Sequence, residues 1–297
     1  MELRKLKTER PNRKSANLDT MNALEIATLM NHEDTKVAAA VRKVLPQVAA
    51  AIDVIAHRLA SGGRLIYVGT GTSGRIGALD AAEVPPTFGV SPGMVQFVMA
   101  GGERALGRAT EASEDSSALG RRDLAAKKLR KSDVVVGIAA SGRTPYTIGA
   151  LEHARKKGAA TVAIACNRGS ELARIANISI EVDVGAEVLT GSTRLKAGTA
   201  QKMVCNMLST GAMARLGHVY GNLMVHLRPK NQKLYERGIS MLEHVARVDR
   251  ETAVGALHAA GMNVPLAMVM LKANVSKREA LRLLKSKRGT VRRVLQE

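Results

Sequence analysis

Tryptophan is absent from this 297-residue chain, and aromatic residues as a whole make up only 2%. Stacking platforms for bases are therefore scarce, and a sugar has to be held mostly by hydrogen bonds. Cysteine is nearly absent too. Cys166 and Cys205 stand far apart with no Cys-x-x-Cys pair, which fits a reducing cytosol and offers no metal-ligand spacing. No run approaches the roughly 20 uninterrupted apolar residues of a membrane-spanning helix. The basic opening MELRKLKTERPNRKS has no apolar core behind it, so it does not read as a secretory signal. Acidic residues are the other shortage: 26 Asp and Glu face 45 Lys and Arg, a net charge of +19.

That surplus raises a nucleic-acid reading, but two features favour a solvated basic surface and an anionic small molecule. Aromatics are too few for single-strand binding, and much of the excess is terminal: Lys272–Glu297 holds nine Lys and Arg against two Glu. Neither a specific nucleic acid nor a membrane is expected as a partner. Apolar residues at 45% and charged residues at 24% are ordinary for a globular chain, and the length allows one large domain or two smaller ones.

Apolar residues recur at helical spacing after Asp19-Thr20, a second helix is expected after Glu33-Asp34, and a third from Pro46 to the Gly62-Gly63 stop. The pattern then changes. LIYVG (65–69), MVQFVMA (94–100), DVVVGIAA (133–140), ATVAIAC (160–166) and ISIEVDV (178–184) are short β-rich runs separated by helical segments. Continuous apolar runs alternating with helices predict parallel strands buried on both faces, hence an α/β, doubly wound five-stranded sheet. A long helical segment covers about 192–216. Beyond about Ser240, TAVGALHAAG, VPLAMVMLKAN and SKREALRLLKSK predict three short helices joined near Gly261-Met262-Asn263 and Asn274. Their amphipathic pattern reads as a small core of its own, although a small basic helix-turn-helix would show the same pattern.

The sharpest local feature is the loop after the first strand, GTGTSGR (69–75). Gly69, Gly71 and Gly74 satisfy G-x-G-x-x-G, a weak dinucleotide signal, but the acid expected at the end of the next strand is missing. Arg75 and Ile76 also break the P-loop pattern. What stands out is the hydroxyls Thr70, Thr72 and Ser73. The loop ASGRT (140–144) repeats that chemistry with Ser141, Arg143 and Thr144. Glycines admit an anion to the backbone, while hydroxyls and a helix N-terminus supply donors. Two such loops on one sheet point to a phosphate monoester, whereas one loop alone would pass for an ordinary capped turn. A third polar cluster, GAEVLTGSTRLKAGTAQK (185–202), gathers Glu187, Ser192, Thr193, Arg194 and Lys196 at a helix entry. It reads either as a sugar or anion site or as an over-provided helix cap.

The paired loops GTGTSGR and ASGRT resemble the SIS (sugar isomerase) domain. GAEVLTGSTRLKAGTAQ looks like the signature shared by glucokinase regulatory proteins and the N-acetylmuramic acid 6-phosphate etherase family. TER near the start, NHEDTKVAAAV (31–41), GGRLIYVGTGTSGRIGALDAAEVPPTFG (62–89), TEASEDS (110–116) and YGNLMV (220–225) fit the etherase side, so the resemblance covers nearly the whole chain. The chain departs from that pattern in TERPNRKS, where Asn and Pro are rearranged, in His226, where an acid is expected, and in its basic charge. The boundaries implied are an N-terminal helical segment over 1–60, a SIS sugar-phosphate domain over 61–238 and a helical C-terminal domain over 239–297.

The resemblance implies cleavage of the D-lactyl ether of N-acetylmuramate 6-phosphate in cell-wall recycling, by a cytoplasmic carbon–oxygen lyase acting as a homodimer. Such an elimination and hydration needs two acid–base groups and neither a metal nor another cofactor. By the same resemblance, Glu83 in DAAEVPP protonates the lactyl oxygen, and Glu114 in EASEDS serves C2 and water. A carboxyl that donates a proton at neutral pH needs burial or a neighbouring charge, so Glu83 is expected to be buried and Glu114 to stay ionised among hydrogen-bond donors. Thr72, Ser73, Ser141, Arg143 and Thr144 are the candidates for the phosphate, and Glu187, Ser192 and Lys196 for the rest of the substrate. A sugar-phosphate isomerase, a non-catalytic sugar-phosphate sensor and a SIS-type transcription regulator are the rival readings. The first sixty residues hold no convincing helix-turn-helix for the last of these.

Overall fold

Five runs of β-branched and small apolar residues become the strands β1 Leu65–Gly69, β2 Val95–Met99, β3 Val134–Ala139, β4 Ala160–Ala165 and β5 Ile178–Glu181. The computed structural model describes residues 6–108, 114–229, 231–287 and 289–295. All strand pairings are parallel, in the order β2-β1-β3-β4-β5. The chain forms two compact units, Met1–Ala82 with Pro92–Ser209, and Glu83–Ser91 with Thr210–Glu297.

The sheet lies in the first unit, with its central strands fully buried because helices cover both faces. Ile66, Val68, Val135, Ala139 and Ala163 point one way, onto Leu124 of α4 (Ser117–Ala125), Tyr146, Ile148 and Leu151 of α5 (Pro145–Lys156), and Leu172 of α6 (Glu171–Ile175). On the other face the Tyr67 hydroxyl donates to Asp80 Oδ2 at 2.7 Å. Asp80, on α3 (Gly71–Phe88), also accepts from Asn206 Nδ2 at 2.7 Å and Ser209 Oγ at 3.0 Å of α7 (Lys196–Leu216). Burial raises the Asp80 carboxyl despite those three donors.

The N-terminal helices are α1 (Ala23–Arg42) and α2 (Leu45–Ala60). Asn22 caps α1 in a capping box with Glu25, three residues after the expected Asp19-Thr20 start. The break expected at Glu33-Asp34 does not occur, and α1 runs straight through it. Acidic residues read as a helix start are in mid-helix here because Glu33 points inward with Val37 and Val41.

The second unit has its own core. α8 (Gln232–Ala246), α9 (Arg250–Ala259), α10 (Val264–Ala273), α11 (Lys277–Ser286) and α12 (Val291–Leu295) bury Ile239, Leu242, Leu257, Val264, Met268 and Val291 together. Asn231, Asp249, Asn263 and Ser276 each cap a helix start. The three expected helices are α9, α10 and α11. α8 and α12 were not among the three, since α8 begins before the apparent composition change and α12 is only five residues long. Among the described residues no single helix is long and apolar enough to cross a membrane.

Candidate functional site

Parallel pairing puts Gly69 opposite Ile138, so the loops after β1 and β3 leave the same edge of the sheet side by side. The strand order reverses between these two strands, which is where the loops diverge and open a crevice. Gly71, with φ +49°, turns the chain from β1 into α3. Gly142 has φ +67°, and a Cβ there would collide with the Ser170 side chain, so the second loop requires glycine.

Ser73 is buried and donates from Oγ to Gln201 Oε1 at 3.0 Å. Thr72 is half-buried. A Cβ on Gly198 of α7 would lie 3.6 Å from Thr72 Cγ2 and 3.7 Å from the Thr193 carbonyl oxygen. The first loop and the 185–202 cluster are thus neighbours. In the second loop Ser141 Oγ accepts from the Arg143 amide at 3.2 Å. Thr144 is the N-cap residue of α5, but its hydroxyl makes no capping bond. Ser141, Arg143 and Thr144 are all half-buried. Arg75 behaves differently from Arg143: its Nε donates to the Leu106 carbonyl at 3.0 Å.

Glu114 joins the two loops. Its Oε2 accepts from Thr70 Oγ1 at 3.0 Å, and its carbonyl accepts from the Tyr146 amide at the start of α5 at 3.0 Å. The placement follows from helix packing. A Cβ on Gly120 would collide with the Tyr146 carbonyl and one on Gly149 with the Ser117 carbonyl, so α4 and α5 are in close approach through two glycines. The residue just ahead of α4 is thereby set against the α5 N-terminus. Residues 110–113 of the TEASEDS run lie outside the described residues.

Two expected substrate ligands have their polar groups engaged by the protein. Glu187 is fully buried, with Oε2 accepting from the Lys196 amide and Oε1 from the Ala197 amide, each at 2.9 Å. It caps α7, and burial raises its carboxyl even though those amides pull it down. Lys196 is equally buried, and its Nζ lies 2.8 Å from Glu33 Oε2 on α1. Glu187 and Lys196, both buried, therefore hold the 185–202 segment in place. Ser192 is half-buried at the same segment, and Arg194 is exposed.

Glu83 is the clearest departure. It was expected to be buried, but in the single chain it is exposed. Helix geometry is the reason: α3 buries Ala81, Val84 and Phe88 along one stripe, which turns Ala82, Glu83 and Pro86 outward. Sequence reasoning also passed over Gln201 and Asn167. Gln201 lies within the 185–202 run, on its helical part beyond the polar residues singled out there, and Asn167, just past β4, has no local signal at all. Among the described residues no group of three or more His, Cys, Asp or Glu side chains is arranged to hold a metal.

Comparisons with known proteins point to one family. The chain matches the family described as glucokinase regulatory protein N-terminal SIS domain over residues 47–155 and the SIS domain over 110–211. It is 50% identical to N-acetylmuramic acid 6-phosphate etherase of Clostridium beijerinckii, covering 100% of this chain and 98% of the relative. The protein of the same name from Burkholderia lata is 52% identical over 99% and 97%. That of Symbiobacterium thermophilum is 54% identical over 93% and 91%. Among solved structures, a phosphoheptose isomerase from Francisella tularensis superposes with a TM-score of 0.50 at 17% identity, covering 64% of this chain and 100% of that one. This last likeness concerns the fold alone.

Proposed function

The chain belongs to the N-acetylmuramic acid 6-phosphate etherase family, and on that premise we propose that it cleaves the D-lactyl ether of N-acetylmuramate 6-phosphate. The products are N-acetylglucosamine 6-phosphate and D-lactate, and the class is a carbon–oxygen lyase. In the open-chain sugar the C1 aldehyde acidifies the C2 proton. A base removes that proton, the C3–oxygen bond breaks, and the departing lactyl oxygen takes a proton from an acid. Water then adds across the resulting double bond, hydroxyl to C3 and proton to C2.

The observation that carries this reading is Glu114, hydrogen-bonded to Thr70 of the first loop and backbone-tied to the helix that follows the second. A ligand whose phosphate sits on Thr72, Ser73, Ser141 and Thr144, with Arg143 adding charge, presents its carbon chain beside that carboxylate. Glu114 serves C2 and the water. Glu83 protonates the lactyl oxygen, and because it is exposed in the single chain, its enclosure falls to a second copy of the chain. Ser192 contacts the sugar. A cytoplasmic homodimer working in peptidoglycan recycling is the setting we infer.

The test is D-lactate release from N-acetylmuramate 6-phosphate by the wild type, Glu83→Ala and Glu114→Gln. Lactate from the wild type with a fall of at least about 100-fold in each variant supports the assignment. Sugar-phosphate binding without lactate would make the protein a sensor, and a ketose product would make it an isomerase.

A further inference from the structure

The N-terminal turn lies outside that assignment, yet it is built into the same edge of the sheet. Lys7–Glu9 form one 3-10 turn. Asn167, two residues past β4, clasps it: Oδ1 accepts from the Lys7 amide at 2.8 Å and Nδ2 donates to Thr8 Oγ1 at 3.0 Å. The same Nδ2 donates to the Ala140 carbonyl at 3.1 Å, the residue that leads into Ser141. One buried amide side chain therefore ties the N-terminal turn to the second phosphate loop. Leu6 and Thr8 are buried on either side of Lys7, whose ammonium pairs with Asp183 at 2.5 Å.

These anchors leave little freedom to the next residue. Glu9 is half-buried, and a Cβ on Gly191 would lie 3.3 Å from its Oε2. Gly191 opens the Gly-Ser-Thr run that approaches Thr72 from the other side. The Glu9 carboxylate thus lies between the turn clasped to the second loop and the Gly191–Thr193 run whose end meets the α7 turn beside Thr72, and among the described residues no hydrogen bond to it is formed. A carboxylate there repels phosphate and carboxylate groups, and it can only favour hydrogen-bond donors. N-acetylmuramate 6-phosphate offers such donors between its phosphate and its lactyl carboxylate, as hydroxyls and an acetamido N–H, and N-acetylglucosamine 6-phosphate keeps those donors.

We propose that Glu9 is a specificity-determining substrate contact, accepting a hydrogen bond from a hydroxyl or the acetamido N–H of the sugar, and that the Thr8–Asn167 clasp places it. This rests on the sugar-phosphate reading of the crevice. The test uses the full chain with Glu9→Gln and Glu9→Ala, titrated with N-acetylglucosamine 6-phosphate and with inorganic phosphate, beside lactate assays and thermal melts. Both variants are expected to bind the sugar phosphate about 10- to 100-fold more weakly, as for loss of a charged hydrogen bond. Melting temperature is expected to stay the same, and phosphate affinity to hold or rise because the repelling charge is gone. Unchanged sugar-phosphate affinity in both variants overturns the assignment, and so does an equal loss for inorganic phosphate. If the wild type releases no lactate while the Glu9 variants still lose sugar-phosphate affinity, the etherase reading fails and this one stands.

Discussion

The Lys196 ammonium, at the first residue of α7, reaches Glu33 in the middle of α1 at 2.8 Å, and both side chains are about as buried as the hydrophobic core around them. Lys36, one turn on along α1, adds a second ammonium to the same carboxylate. Burial by itself would raise the Glu33 carboxyl. The two ammonium groups outweigh it and hold the carboxyl at about 2.

Removing one member of that pair leaves a buried charge without its partner. Lys196→Met is therefore expected to cost about 3 kcal/mol or more in urea unfolding, while the double variant Glu33→Leu/Lys196→Met recovers much of it. The pair also sets an acid limit. The unfolded carboxyl takes up its proton near pH 4.5 and the folded one only near 2. The stabilisation is complete above pH 4.5 and is lost as pH falls between those values. Glu33→Gln should flatten that part of the stability profile, and an unchanged slope would place the acid sensitivity elsewhere.

A second pH window belongs to His218 and His226, whose rings are 5.0 Å apart in the second unit. Burial, and then the neighbouring His218, push His226 down to about 4. Burial lowers His218 as well. Below pH 6.5 the unfolded chain binds protons that the folded chain refuses, so stability declines from pH 6.5 toward 4. Melts at pH 7.5 and 5.0 should differ less for His226→Phe than for the wild type.

The second loop depends on a glycine conformation. Gly142→Ala introduces a Cβ at φ +67° against Ser170. A loss of roughly 2 kcal/mol is expected, with a rise of at least about tenfold in the Michaelis constant. Gly185→Ala provides the comparison. It has φ +70° but nothing within 4 Å of its Cβ, and should cost less on both measures.

The net charge of +19 draws an anionic substrate from solution. Raising ionic strength from about 0.05 to 0.5 M shortens the screening length several-fold. The Michaelis constant should then rise, about threefold or more, with little change in kcat. A salt-independent value would remove steering from the account.

Local signals in the sequence determined a good deal. β1, with its Gly69 end, and β3, β4 and α7 follow from runs whose period and bulk suit only one backbone conformation. Glycines and hydroxyls mark the two loops because an anion site needs a bare backbone and nearby donors. Caps such as Asn263 and the left-handed stops at Met262 and Asn274 are equally local. Tertiary structure decided the roles that depend on a distant partner. Glu33 and Lys196 are 163 positions apart, so nothing near either one indicates that they neutralise each other. Glu187 caps α7 with both its oxygens, and Glu83 sits by helix phase on the exposed side of α3. Thr8 belongs to the TER match, but nothing near it or near Asn167 marks the two as partners. Their meeting, 159 positions apart, comes from the order in which the strands pack, which sets what lies beside the loops. Periodicity and backbone sterics act over a few residues and can be read along the chain, whereas a buried charge or amide takes its function from whatever the fold brings against it.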